Sequence, residues 1–197
     1  MSESKGIWYW DIVKWIVGLS CLFYLLNFAF FGFSESTNRT AIQWTARISL
    51  ITFCLAFGAN GIHQLFKNSL SFWVLMNRKY LGISFAISHI IHLLFLGLLQ
   101  FSFHPVFTVA KKTSLLAGGI AYLFLLLMLL TSFERFASKI QKNHWKWLHT
   151  FGGYWIGGVF FSSYYKRALT EPWHWLVVGL LLFLLFVRLR HRLRRIF

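Results

Sequence analysis

The sequence predicts an all-α integral membrane protein, a bundle of six helices in one domain. Three observations carry this reading. Hydrophobic residues make up 57% of the 197 positions and charged ones only 13%, far below the roughly 25% of an average soluble domain. The apolar residues fall into six runs long enough to cross a hydrocarbon layer, which takes about 20 residues per helix. The basic residues gather in alternate connections, as expected of a chain threaded back and forth across a membrane.

Taken in order, the predicted spans are approximately 9–32, 42–65, 80–103, 114–133, 146–165 and 173–190, separated by charged or turn-forming clusters. The first run follows Lys5, and no small-residue cleavage site succeeds a short apolar core, so it reads as an uncleaved span. The second begins beside Arg47 and ends before Lys67. Arg78 and Lys79 introduce the third, and Lys111 and Lys112 precede the fourth. A cluster with Arg135, Lys139 and Lys142 leads into the fifth; Lys166 and Arg167 follow it. The sixth runs into the basic tail RLRHRLRR, a charge run suited to anionic lipid and to the negative end of a helix dipole. Tryptophans near span ends, such as Trp8, Trp10, Trp145, Trp147, Trp173 and Trp175, read as interfacial belts. With six spans both termini share a side, which collects most of the 20 basic residues and is therefore cytoplasmic.

The formal charge of +15 would suggest nucleic acid in a soluble protein. Here topology and anionic headgroups account for it, and no nucleic-acid partner is expected. Cys21 and Cys54 lie far apart inside predicted spans and read as small apolar residues; there is no CxxCH, CxxC or zinc spacing. Five acidic residues, nearly all near connections, leave no buried carboxylate pair and no serine triad, so hydrolysis is a poor reading.

The chemistry-bearing residues are histidines. In SFAISHIIHLL, His89 and His92 stand three apart on one helical face of the third span. Ionisable groups at membrane depth usually mark an ion path, a proton relay or a bound cofactor. His149 lies in WKWLHTFGGYWIGG on the fifth span, which runs in the same direction, beside Gly152, Gly153 and Gly157. At ~1.5 Å per residue, His89 sits about 15 Å from Lys79, His92 about 20 Å, and His149 about 10 Å from Lys142, so depth pairs His149 with His89 rather than His92. Neutral imidazole is a good axial ligand of haem iron, and bundles build cofactor sites from facing helices. The glycines could open a slot for a macrocycle, or serve close helix packing of the small-xxx-small kind. His63, four residues before Lys67, is expected to snorkel to the surface or to meet a propionate. His104, His144, His174 and His191 are expected at surfaces. Arg47, near the outer end of the second span, could meet a carboxylate or snorkel.

Three segments, TARISL at Thr45–Leu50, NRKYLG at Asn77–Gly82 with His92 ten residues on, and NHWKWLH at Asn143–His149, resemble the ferric reductase-like transmembrane family. The likeness is nearest to its small bacterial branch, the haem-binding membrane subunits that serve a periplasmic methionine sulfoxide reductase, and spans most of 45–165. It implies a six-helix bundle in a bacterial inner membrane that binds haem b through His92 and His149, with His89 the alternative to His92. Gly152, Gly153 and Arg47 would line the cofactor. The family's further histidine, about thirteen residues beyond the one matching His149, is replaced by Phe161-Ser162-Ser163, so one haem is expected; a second would have to recruit His104 or His174. With no GxGxxG and no soluble domain, electrons would come from a cytoplasmic flavin reductase or membrane quinol, and flavin (FMN) or quinone could bind as well. The acceptor would be a periplasmic reductase, ferric ion or oxygen. Two rival readings are a non-redox transporter with histidines along a polar path, and a structural subunit with histidines in helix contacts.

Overall fold

A computed structural model describes residues 9–105 and 109–193 of the chain. Lys5, Trp8, Arg194 and Arg195 lie outside the described residues, as do the side chains of Lys111, Lys112, His191 and Arg192. The protein is all-α: α1 (Trp10–Phe31), α2 (Glu35–Phe66), α3 (Ser69–Met76), α4 (Arg78–Phe103), α5 (Val109–Leu130), α6 (Glu134–Ala137), α7 (Lys142–Ala168) and α8 (His174–Leu193). Among the described residues α1, α2 and α4 are long and apolar enough to cross a membrane, and Leu115–Leu130 forms a shorter apolar helix. It is an integral membrane, largely helical protein.

Each predicted span coincides with one long helix, but α2 begins seven residues before the apolar run does. The polar start is helical because its ends are tied locally. Ser34 Oγ accepts the Thr37 amide (3.2 Å), and Arg39 pairs with Glu35 one turn back. Arg47 is therefore twelve residues inside α2 rather than at its start, and its guanidinium lies 4.9 Å over the Trp44 ring. The tight turn before α2 uses Gly32, whose φ of 67° suits a residue without Cβ and lets its amide reach Phe28 O at 2.9 Å.

Two short helices punctuate the connections. Lys67 leaves α2 at φ 46°, and Asn68 then caps α3 reciprocally. Asn68 Oδ1 accepts the Ser71 amide (2.8 Å), while Ser71 Oγ accepts the Asn68 amide (3.1 Å). That cap also holds His63: its Nδ1 meets Ser71 Oγ at 3.0 Å and its ring packs near Phe72. His63 is half-buried and bonded within the chain instead of snorkelling.

The chain divides into two compact units. Unit 1 takes residues 9–56 and 73–105 of those described, hence α1, most of α2 and α4. Ring contacts run in step along α1 and α4, Tyr9 with Tyr80, Tyr24 with Phe95 and Phe33 with Phe103, so these helices are parallel. Contacts between α2 and α4 run in opposite order, Asn38 with Phe95, Ser49 with His89 and Phe53 with Phe85, so that pair is antiparallel. Asn77, fully buried, bolts the start of α1 to that of α4: its Oδ1 accepts the Tyr9 amide (2.8 Å), and its Nδ2 donates to Trp73 O (2.9 Å).

Unit 2 takes residues 57–72 and 109–193. Here α5 packs antiparallel on α7, which packs antiparallel on α8. The end of α2 lies against α8 at two glycines: a Cβ on Gly58 would stand 2.7 Å from Leu184 Cδ2, and one on Gly61 2.5 Å from Val187 Cγ1. Missing side chains thus let the helices approach closely, the usual device where lipid gives no hydrophobic drive to associate.

Candidate functional site

The histidine pair of unit 1 is built by α2 as much as by α4. Thr45 and Ser49 are fully buried on one stripe of α2, and each already hands its own proton to a carbonyl of its helix. Such back-bonding is the habit of Ser and Thr in apolar helices. Their oxygens are thereby left as acceptors. His92 Nδ1 meets Thr45 Oγ1 at 2.9 Å and the Ile42 carbonyl at 3.1 Å. A carbonyl only accepts, so Nδ1 of His92 carries the proton and Nε2 the lone pair. By the same argument His89 Nδ1–H donates to Ser49 Oγ, 3.2 Å away. The two rings stack, centroids 5.2 Å apart and 17° from parallel. Both imidazoles thus carry a proton on Nδ1 and are oriented from that side, which puts the lone pair of the neutral ring on Nε2. That is how a metal-ligating histidine is ordinarily held, its second nitrogen donating to a carbonyl or hydroxyl.

His149, in unit 2, is held the other way round. Thr131 Oγ1 donates to the Leu127 carbonyl (2.7 Å), so at 2.9 Å it accepts from His149 Nε2–H, and the lone pair falls on Nδ1. Trp145 covers the ring, centroids 4.2 Å apart, and its own Nε1–H donates to Thr131 O at 2.9 Å. Ligation of iron through Nε2 would require this nitrogen to give up Thr131.

The glycines divide between the two uses weighed from sequence. Gly152 is buried against α5, and a Cβ there would meet Met128 Sδ at 2.7 Å and Phe124 Cβ at 3.3 Å, so it serves helix packing. Gly153 has more room, with Phe57 at 3.6 Å and Arg188 Nη2 at 4.0 Å from the same hypothetical atom. Arg188 is drawn inward rather than sitting in the basic tail: Nη1 donates to Phe57 O at 2.7 Å, and the guanidinium lies 4.1 Å over the Phe57 ring and 5.2 Å over that of Tyr154. His174, expected at a surface, is 2% exposed. Trp173 stacks on it at 3.7 Å, Tyr164 flanks it, and its Nδ1–H donates to Glu171 O. His104 and His144 are exposed, as expected.

Sequence reasoning named the histidines but missed the residues that orient them: Thr45, Ile42, Ser49, Thr131 and Trp145. A usable signal existed for the first unit. Small polar residues recur at 45, 49 and 52 on α2 and at 84 and 88 on α4, at helical spacing and inside apolar runs. Among the described residues no group of three or more His, Cys, Asp and Glu side chains forms a metal cluster. Compared with known proteins, the chain matches no protein-family model, no curated protein and no solved structure.

Proposed function

We propose that this protein is a six-helix membrane electron carrier that binds a b-type haem, with both termini in the cytoplasm of a bacterial cell and a place in the ferric reductase-like family that its sequence resembles. The observation that carries the reading is the orientation of His92, whose Nδ1–H is fixed by Ile42 O and Thr45 Oγ1, so that the lone pair of the neutral ring falls on Nε2. This suits an axial ligand, and removing such an orienting partner typically costs 10–100-fold in metal affinity. His149 is the second ligand that the resemblance implies, and His89, held in the same way by Ser49, is the alternative to His92. Haem would supply one-electron chemistry at a potential set by its ligands and by burial. The chain's own part is to hold the imidazoles oriented from Nδ1. The proposed donors are a cytoplasmic flavin reductase or membrane quinol, and the proposed acceptors a periplasmic reductase, ferric ion or oxygen.

A structural role is the second reading, favoured by one observation: His89 and His92 both bond α2, as helix-joining residues would. A dithionite-reduced minus oxidised spectrum of purified protein, with haem extracted and counted per chain, separates the two. Electron transfer requires b-type bands at about one haem per chain, lost in His92→Ala and in His149→Ala. A featureless spectrum from folded protein expressed with ample haem refutes it.

A further inference from the structure

Among the described residues, unit 1 buries five side-chain oxygens that accept and donate no hydrogen bond: Asn27 Oδ1, Asn38 Oδ1, Ser84 Oγ, Ser88 Oγ and Gln100 Oε1. Ser84 and Asn38 are fully buried and Ser88 is 2% exposed. The serines are the informative members. A serine within an apolar helix ordinarily turns its hydroxyl back onto the carbonyl four residues earlier, as Ser20, Ser49 and Thr52 do here. Ser84 and Ser88 do not. A buried polar group without a partner is costly, and hydrocarbon supplies none, whereas small internal waters routinely satisfy such groups.

Their distribution is ordered along the helices. Ser84 and Ser88 stand one turn apart on α4, in the layer where Phe53 meets Phe85. Asn27, Asn38 and Gln100 belong to the opposite end of unit 1, the layer marked by the Asn38–Phe95 bond and by the contacts of Phe28 with Phe95 and Phe33 with Phe103. Between the two groups lie His89 and His92 with Ser49 and Thr45, whose hydroxyl protons are already committed to carbonyls. One water with two hydrogen bonds of ~2.8 Å at its roughly tetrahedral angle spans ~4.5 Å, somewhat less than the ~5.4 Å pitch that separates residues one turn apart. About one or two waters therefore span each turn of such a seam.

We propose that water enters the interior of unit 1 from both ends and stops at the histidine layer, giving two separate polar half-paths by which protons reach its two faces. The first runs past Ser84 and Ser88 from the end carrying Tyr9 and Asn77. The second runs past Gln100, Asn38 and Asn27 from the end carrying Gly32 and His104. Neither half-path requires a haem.

The test is cysteine accessibility in sealed membrane vesicles of known orientation, because a thiol reacts with a charged methanethiosulfonate only where water lets the thiolate form. Cys21 and Cys54 are first replaced by alanine, then Ser84→Cys, Ser88→Cys, Asn27→Cys and Gln100→Cys are made singly. Ala86→Cys, in the buried apolar part of α4, and Leu94→Cys, on its exposed face, set the background. Serine and cysteine are close in size, and folding is checked by a single elution peak in detergent. The α4 serines should react at least about tenfold faster than both controls, and from one side of the membrane. Asn27→Cys and Gln100→Cys should react from the other side alone. Rates equal to the controls at Ser84 and Ser88 overturn the first half-path, and the same result at Asn27 and Gln100 overturns the second. Labelling of both groups from one side overturns the division at the histidines.

Discussion

Replacement of Gly152 by leucine tests whether this glycine packs helices or makes room for a macrocycle. In the structure a Cβ at Gly152 would stand 2.7 Å from Met128 Sδ and 3.3 Å from Phe124 Cβ and Cδ1. The thioether is the far end of a flexible side chain and can swing away; Phe124 Cβ is fixed to its backbone and must move with α5. Alanine therefore demands a few tenths of an ångström, and the strain is offset by the ~1 kcal/mol by which alanine exceeds glycine in helix propensity. Gly152→Ala should melt close to the wild type. Leucine adds three more heavy atoms to a filled site, and overpacking of that kind costs about 1–3 kcal/mol. For a chain of this size each kcal/mol moves the melting temperature by about 2–4 °C, so a fall of roughly 2–12 °C is expected. The assay is a tryptophan-fluorescence melt of haem-free protein in detergent, with Gly158→Leu as the comparison, since nothing lies within 4 Å of a Cβ at Gly158. If Gly152→Leu melts with the wild type while Gly158→Leu falls, the packing assignment is refuted.

Thr45→Val keeps the shape of the side chain and removes one of two acceptors of His92 Nδ1–H, leaving Ile42 O at 3.1 Å. Its expected stability loss is about 0.5–1.5 kcal/mol by thermal melt, and haem per chain, where haem is bound, should fall less than in His92→Leu. Thr131→Val removes the acceptor of His149 Nε2–H, so nitrogen NMR of labelled histidine should show the proton redistributing between Nε2 and Nδ1; an unchanged tautomer would contradict the assignment. Arg188→Met loses the bond to Phe57 O and the contact with two rings, for an expected cost of about 2 kcal/mol. Arg188→Lys should recover little of it, because an ammonium cannot lie flat on the rings. Equal melts of the methionine variant and the wild type would show that these contacts do not stabilise unit 2.

How far the sequence could be read depended on what each pattern measures. Hydropathy marks where a helix meets lipid, so α4 ends at Phe103 as predicted and α1 differs from its span by one residue at each end. It does not mark where a helix begins in water, so the polar turns of α2 from Glu35 were missed, and α3 and α6 were hidden in connections. The candidate site shows the same division. His89 and His92 stood out because imidazoles in an apolar run are rare. Thr45, Ser49 and Thr131 did not, since isolated serines and threonines are common in membrane helices and only their neighbours give them a role. His174 was misjudged for a related reason: a position near a span end looks exposed until Trp173 and Tyr164 fold over it.

Composition and hydrophobic run length by themselves determined that the chain is helical and lies in a membrane, because a backbone surrounded by hydrocarbon has to satisfy its own hydrogen bonds. The three-residue spacing of His89 and His92 likewise determined that they share a face. Tertiary structure alone decided which nitrogen of each ring holds the proton, because the acceptors come from other segments of the chain: Ile42 and Thr45 for His92, Ser49 for His89 and Thr131 for His149. It also decided that Gly152 is closed by Met128 and that Arg188 turns inward onto Phe57. Those partners lie between 18 and 131 residues away, beyond the reach of any local periodicity, and they are chosen by how neighbouring helices pack.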